Sequence, residues 1–154
     1  MQAVSEQTQQ TQARKAWMGV LAKAPAARLC ALWEQYGAVP DYVILRAPEV
    51  GGVMVCGRAG AVGAPFNLGE MTVTRCSVRL ASGAVGHGYV QGRDKAHAQQ
   101  AAVIDALMQT GAAPQVEAAI VAPLREGLAE ARAARAAKAA ATKVDFFTMV
   151  RGED

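Results

Sequence analysis

Apolar positions recur at helical spacing near the start of the chain. Ala13, Ala16, Trp17, Val20, Leu21 and Ala24 fall on one stripe behind a polar, Gln-rich opening. That pattern predicts an amphipathic helix ending near Lys23, with residues 1–10 polar enough to fray. Pro25 suits the first turn of a second helix, where its missing N–H would have had no partner. Leu29, Cys30, Trp33 and Tyr36 mark that helix's buried side, and Gly37 ends it.

Between residues 41 and 91 the pattern changes to β. Residues 42–46 and 53–58 read as two strands separated by Pro48 and Gly51-Gly52, and residues 71–80 form the longest strand. Ser82-Gly83 reads as a two-residue hairpin loop, from which residues 85–91 return antiparallel. In that register Leu80 faces Val85, Val78 faces His87 and Cys76 faces Tyr89. Arg75, Ser77 and Arg79 then lie on the other face, opposite Val90, Gly88 and Gly86. Thr74 pairs near Gln91, which brings Arg75 beside whatever follows the strand.

Residues 96–109 return to a helical stripe through Val103, Ile104, Leu107 and Met108, closed by Gly111 and Pro114. A further helix is expected to bend near Pro123 and Gly127, because proline in a helix removes a hydrogen bond and clashes with the preceding turn. Its continuation, LAEARAARAAKAAATK, forms helix readily but holds little that could anchor a core, so it suits a solvent-crossing or partner-packed helix. The expected fold is α+β, in a single domain over residues 1–154. An antiparallel sheet of about four strands carries two N-terminal helices, a helix after the main hairpin and a long Ala-rich C-terminal helix.

Charge narrows the function classes. Sixteen Lys and Arg against 13 Asp and Glu leave a net charge of +3, far from a nucleic-acid arm or a polybasic membrane patch. Cys30, Cys56 and Cys76 show no paired spacing, and the polar start is followed by no apolar run, so a soluble protein of the reducing cytoplasm is expected. His87 and His97 have no Cys, Asp or Glu at ligand spacing, and a metal site is not expected. No nucleophile and base pair or phosphate-binding glycine loop can be identified, so no catalytic residue is assigned.

Two segments carry the candidate chemistry. In YVQGRDKAHAQQ, Asp94 can cap the following helix, which explains the stretch as structure. A helix N-terminus also attracts anions, and Arg75, Arg93, Lys95 and His97 could converge there as donors. Both readings stand. In the terminal KVDFFTMVRGED, Val144, Phe146, Phe147, Met149 and Val150 call for burial. They could cover the domain's own core, or residues 143–154 could dock into another subunit with Arg151 at the rim. A stand-alone binding module for nucleic acid or phosphate, using Arg75, Arg79 and Arg93, is the competing function class; the low net charge and few aromatics count against it.

WMGVLA, LRAPEVG, MTVTRCSVRL, GRDKAHAQQAAVIDALM and VDFFTMVRGED, in this order across nearly the whole chain, resemble the PhnG family, small subunits of the carbon–phosphorus lyase core complex. The resemblance implies an accessory subunit of phosphonate catabolism that assembles with PhnH, PhnI and PhnJ subunits. With PhnH and PhnI it would serve the conversion of ATP and methylphosphonate into alpha-D-ribose 1-methylphosphonate 5-triphosphate and adenine. It implies ATP as a substrate of the complex and no cofactor bound by this chain. It carries over no catalytic residue.

Overall fold

The computed structural model describes residues 2–144, with side chains from Gln7 onward. Helix α1 (Gln2–Lys23) takes in the Gln-rich opening as well as the apolar stripe, and buries Leu21 with Trp17 and Val20 partly covered. Pro25 stands just before α2 (Ala26–Tyr36), where its carbonyl accepts from the N–H groups of Arg28 and Leu29 at 3.0 and 3.1 Å. Gly37, at φ +68°, ends α2 by returning its N–H to Trp33 O at 3.2 Å. Only a residue tolerant of the left-handed region can close a helix in this way.

Among the described residues the sheet has three strands rather than four. β1 (Tyr42–Arg58), β2 (Pro65–Leu80) and β3 (Val85–Gln91) pair antiparallel in the order β1-β2-β3. Pro48 and Gly51-Gly52 do not interrupt the first strand. The register shifts between Ile44 and Arg46, between Arg46 and Glu49 and again between Val55 and Cys56, and pairing reaches Arg58. Among the described residues β1 is an edge strand with one side unpaired, which is where a proline and a local irregularity are tolerated. A 3-10 turn, Ala59–Ala61, follows β1 on the way into β2, and this distal hairpin leaves Met54, Val62, Phe66 and Leu68 exposed.

The second hairpin differs from the two-residue expectation by one residue, with large consequences. Leu80 N–H bonds Ala84 O at 2.9 Å and Gly83 N–H returns to Leu80 O at 2.9 Å, so the loop is Ala81-Ser82-Gly83, with Gly83 at φ +91°. The pairs are Arg79 with Val85, Ser77 with His87, Arg75 with Tyr89 and Thr74 with Val90. Side chains alternate across a strand, so a slip of one residue exchanges partners and faces. The arginines face outward beside His87 and Tyr89, while Gly86 and Gly88 face the core opposite Val78 and Cys76.

Those two glycines explain how the next helix packs. α3 (Lys95–Leu107) lies on the inner face of β2 and β3 and is buried through most of its length. A Cβ on Gly88 would meet Ala98 O, and one on Gly86 would meet Ala102 O and Ala106. Ala98, Ala102 and Ala106 recur every four residues, so a row of small side chains on the helix meets a row of glycines on the strand. The other sides of α3 carry Val103, Ile104 and Leu107 into the core cluster formed with α1, α2 and the following helical run.

That run comprises α4 (Ala113–Val116), a π-turn (Glu117–Val121) and α5 (Ala122–Ala141). The expected disturbance at Pro123 is met just upstream by the wider π-turn. This turn accommodates the proline's missing N–H and its clash with the carbonyl four residues back. Val116, Ile120, Val121 and Leu124 are buried; beyond Leu124 no described residue of α5 is.

Candidate functional site

The four proposed anion donors can be placed one by one. Gly92, at φ +93°, turns the chain out of β3, and Asp94 caps α3 by accepting the His97 N–H at 3.0 Å on Oδ1. Such a cap is worth about 1 kcal/mol. Arg93 and Lys95 flank it, exposed, with no hydrogen bond or ion pair among the described residues. His97 is buried, and its Nε2 lies 2.8 Å from Leu21 O. A carbonyl can only accept, so Nε2 carries the proton and ties α3 to the last turn of α1, where carbonyls lack helical partners.

Arg75 is not brought to the helix start. The corrected register puts it on the outer sheet face, where its Nη2 donates to Glu49 Oε1 at 2.7 Å. Arg46 approaches the same carboxylate at 3.3 Å. The hydrogen bond from Arg75, followed by the charge of Arg46, holds the Glu49 carboxyl below its usual range. A depressed carboxyl contributes stability above its unfolded pKa and loses it as pH falls through the folded one. All three side chains are well exposed, so the contribution is small. Ser77 and His87 share a hydrogen bond of 2.9 Å on the same face, through His87 Nδ1. Arg75 and His97 therefore sit on opposite sides of the sheet, and only Arg93 and Lys95 remain together beside the α3 N-terminus.

The most completely built polar cluster went unrecognised in the sequence. Asp105, fully buried in α3, accepts from Arg14 Nε at 3.2 Å and Trp17 Nε1 at 2.8 Å on Oδ1. On Oδ2 it accepts from Arg14 Nη2 at 2.7 Å and His87 N–H at 2.9 Å. A carboxylate has about four lone-pair sites. All are engaged, which leaves no oxygen to take a substrate proton or a metal. Arg14 also donates to Val85 O at 3.2 Å, and Gln109 Nε2 to the same carbonyl at 2.9 Å. The cluster bolts α1 and α3 to the start of β3. A signal existed: an aspartate inside the apolar run AAVIDALM, with Arg14 and Trp17 one helical turn apart on the buried side of α1.

Of the three free thiols, Cys56 is exposed, Cys30 is partly covered and Cys76 is buried. Burial pushes the Cys76 thiol up, away from the thiolate, and its Sγ lies 3.4 Å from Arg46 O. Among the described residues no three His, Cys, Asp or Glu side chains gather as metal ligands, and no helix is long and apolar enough to cross a membrane.

Residues 12–152 match the model of a family described as phosphonate metabolism protein PhnG. The chain belongs to the PhnG family. A curated relative from Rhizobium meliloti (strain 1021), alpha-D-ribose 1-methylphosphonate 5-triphosphate synthase subunit PhnG, is 47% identical over 145 residues, covering 92% of this chain and 90% of the relative. The PhnG match takes in Arg14, Trp17 and Asp105 as well as GRDKAHA. It also includes Phe146, Phe147, Met149, Val150 and Arg151, which lie outside the described residues.

Proposed function

We propose that this PhnG chain is an accessory subunit of the carbon–phosphorus lyase core complex in phosphonate catabolism. With PhnH- and PhnI-type subunits, and alongside a PhnJ-type subunit, it serves the reaction in which methylphosphonate replaces the adenine of ATP. The products are adenine and alpha-D-ribose 1-methylphosphonate 5-triphosphate. The name of the Rhizobium meliloti relative supports the assignment to that synthase. In the structure, the observation that carries the accessory role is the edge strand β1, unpaired on its outer side among the described residues, on which Val43, Ile44 and Leu45 stand exposed in succession. Phe66 and Leu68 stand exposed at the far end of the same hairpin, so both of its ends offer apolar side chains of the kind that subunits bury in one another. Neither Asp105 nor Cys76 offers a free reactive group, so the chain's contribution is to hold partners and to lend charge. Arg93 and Lys95 are the residues proposed to lend it, to the triphosphate in the assembled complex.

Reconstitution with the other subunits tests both parts. Deleting residues 144–154 is expected to reduce retention of this chain in the purified complex at least tenfold while leaving its thermal unfolding unchanged; undiminished retention would remove the tail from the interface. Converting Arg93 and Lys95 together to alanine is expected to lower adenine release about tenfold with assembly intact, a loss of about 1.4 kcal/mol in transition-state stabilisation. Normal release would reduce the segment to a helix cap. Adenine released by this chain alone would overturn the accessory role.

A further inference from the structure

Between α1 and α5 runs an open groove of about 660 Å3. Its floor is small and apolar, with Ala16, Gly19 and Val20 from α1 facing Leu128 and Ala129 from α5. Its edges carry Lys15 and Lys23 on one helix and Arg132 and Arg135 on the other, and among the described residues no carboxylate lines it. Among the described residues none of these four cations enters an ion pair. The acids of α5 are turned elsewhere: Glu126 and Glu130 line a separate depression that includes Arg28 of α2. The helix is thus divided around its axis, basic toward α1 and acidic toward α2.

We propose that this groove seats an acidic amphipathic helix supplied by another subunit of the synthase, packed as a third helix against α1 and α5. The proposal rests on the accessory-subunit reading and adds a site to it. The spacing of the cations selects the occupant. Lys15 and Lys23 are eight residues apart, about 12 Å along the helix, which exceeds the reach of one phosphate group and matches carboxylates two turns apart on a partner helix. The floor selects it as well. Alanine and glycine let a helix approach to about 8 Å between axes, and an apolar face is needed to cover Val20 and Leu128. Four cations without counter-charges would be costly to desolvate beneath a neutral partner, so the incoming face must be acidic. The placement also accounts for α5 itself, a helix of 20 residues whose only buried residue is Leu124. In a protein, a helix of this kind gains most of its stability from packing.

The test uses the complete complex. A benzoylphenylalanine photocrosslinker is placed at Ala16 in one preparation and at Ala129 in another, and the linked peptides are sequenced. The expected product joins either position to a segment of another subunit with acidic residues at helical spacing. Its yield should fall at least fivefold when Lys15→Glu and Arg132→Glu are combined, while thermal unfolding of the isolated chain stays unchanged. Linkage to a second copy of this chain, to its own residues 145–154, or to nothing in a complex that has assembled would overturn the groove proposal and leave the subunit reading standing. A wild-type chain that fails to assemble with the other subunits would overturn both.

Discussion

Replacing Asp105 by alanine is expected to cost about 3–5 kcal/mol of folding stability, the range for breaking a buried ion pair by removing one partner. In a chain of this size that lowers the melting midpoint by on the order of 10 °C. The change strips the acceptor from four donors at once, namely two on Arg14, the Trp17 indole and the His87 backbone N–H. The Arg14 side chain is only 32% exposed and cannot fully recover water as a partner. Asp105→Asn should recover little, because an amide nitrogen would confront donors on at least one side. The reference is Arg46→Ala, which removes an ion pair of half-exposed partners and should change stability by less than about 1 kcal/mol. Urea unfolding of the three variants decides the matter. A loss below about 1 kcal/mol for Asp105→Ala would mean that the cluster is not what joins α1 to β3.

Gly88→Ala should be at least as damaging as ordinary overpacking, at or above the upper end of about 1–3 kcal/mol. The added Cβ would run into the main-chain carbonyl of Ala98, and a carbonyl within a helix cannot swing aside as a long side chain can. Relief would require α3 to lift off the sheet, which opens gaps around Cys76 and Val78 and loses their dispersion contacts. Combining it with Gly86→Ala, which strikes the Ala102 carbonyl one turn on, should leave no cooperative unfolding transition at 37 °C. Gly69→Ala provides the contrast, since nothing lies within 4 Å of its Cβ, and should fall within about 0.5 kcal/mol of the parent. A Gly88→Ala protein as stable as Gly69→Ala would refute the close approach of α3 to β3.

Both predictions depend on features only partly legible in the sequence. The helices were legible because period and punctuation agree: the stripe from Ala13 to Ala24, Pro25 before α2 and Gly37 after it recur at the expected places. Asp94 was legible as a cap for the same local reason. The strand count was not, because Pro48 and a Gly-Gly pair signal a break in most settings and only the edge position of β1 makes them tolerable. The hairpin register turned on whether Ala81 belongs to the strand or the loop. That one residue decided that Arg75 meets Tyr89, that Ser77 meets His87 and that the glycines meet α3. With the register went the convergence of Arg75 on His97, and the candidate anion site contracted to Arg93 and Lys95.

What the sequence determined by itself is therefore local and categorical. It specified helices, an antiparallel β region, the cap at Asp94 and, through motifs spread over the chain, membership of the PhnG family. Tertiary structure alone decided which polar groups are engaged. His97 spends its Nε2 proton on a carbonyl 76 residues away, and Asp105 draws its donors from α1 and β3. It also decided which cations stand without an ion pair among the described residues, in the groove between α1 and α5. The physical reason is range. Backbone preferences and capping act over a few residues and leave their mark in the local pattern. The desolvation of a buried charge is met by whichever donors the packed chain brings to it, and those can come from anywhere in the sequence.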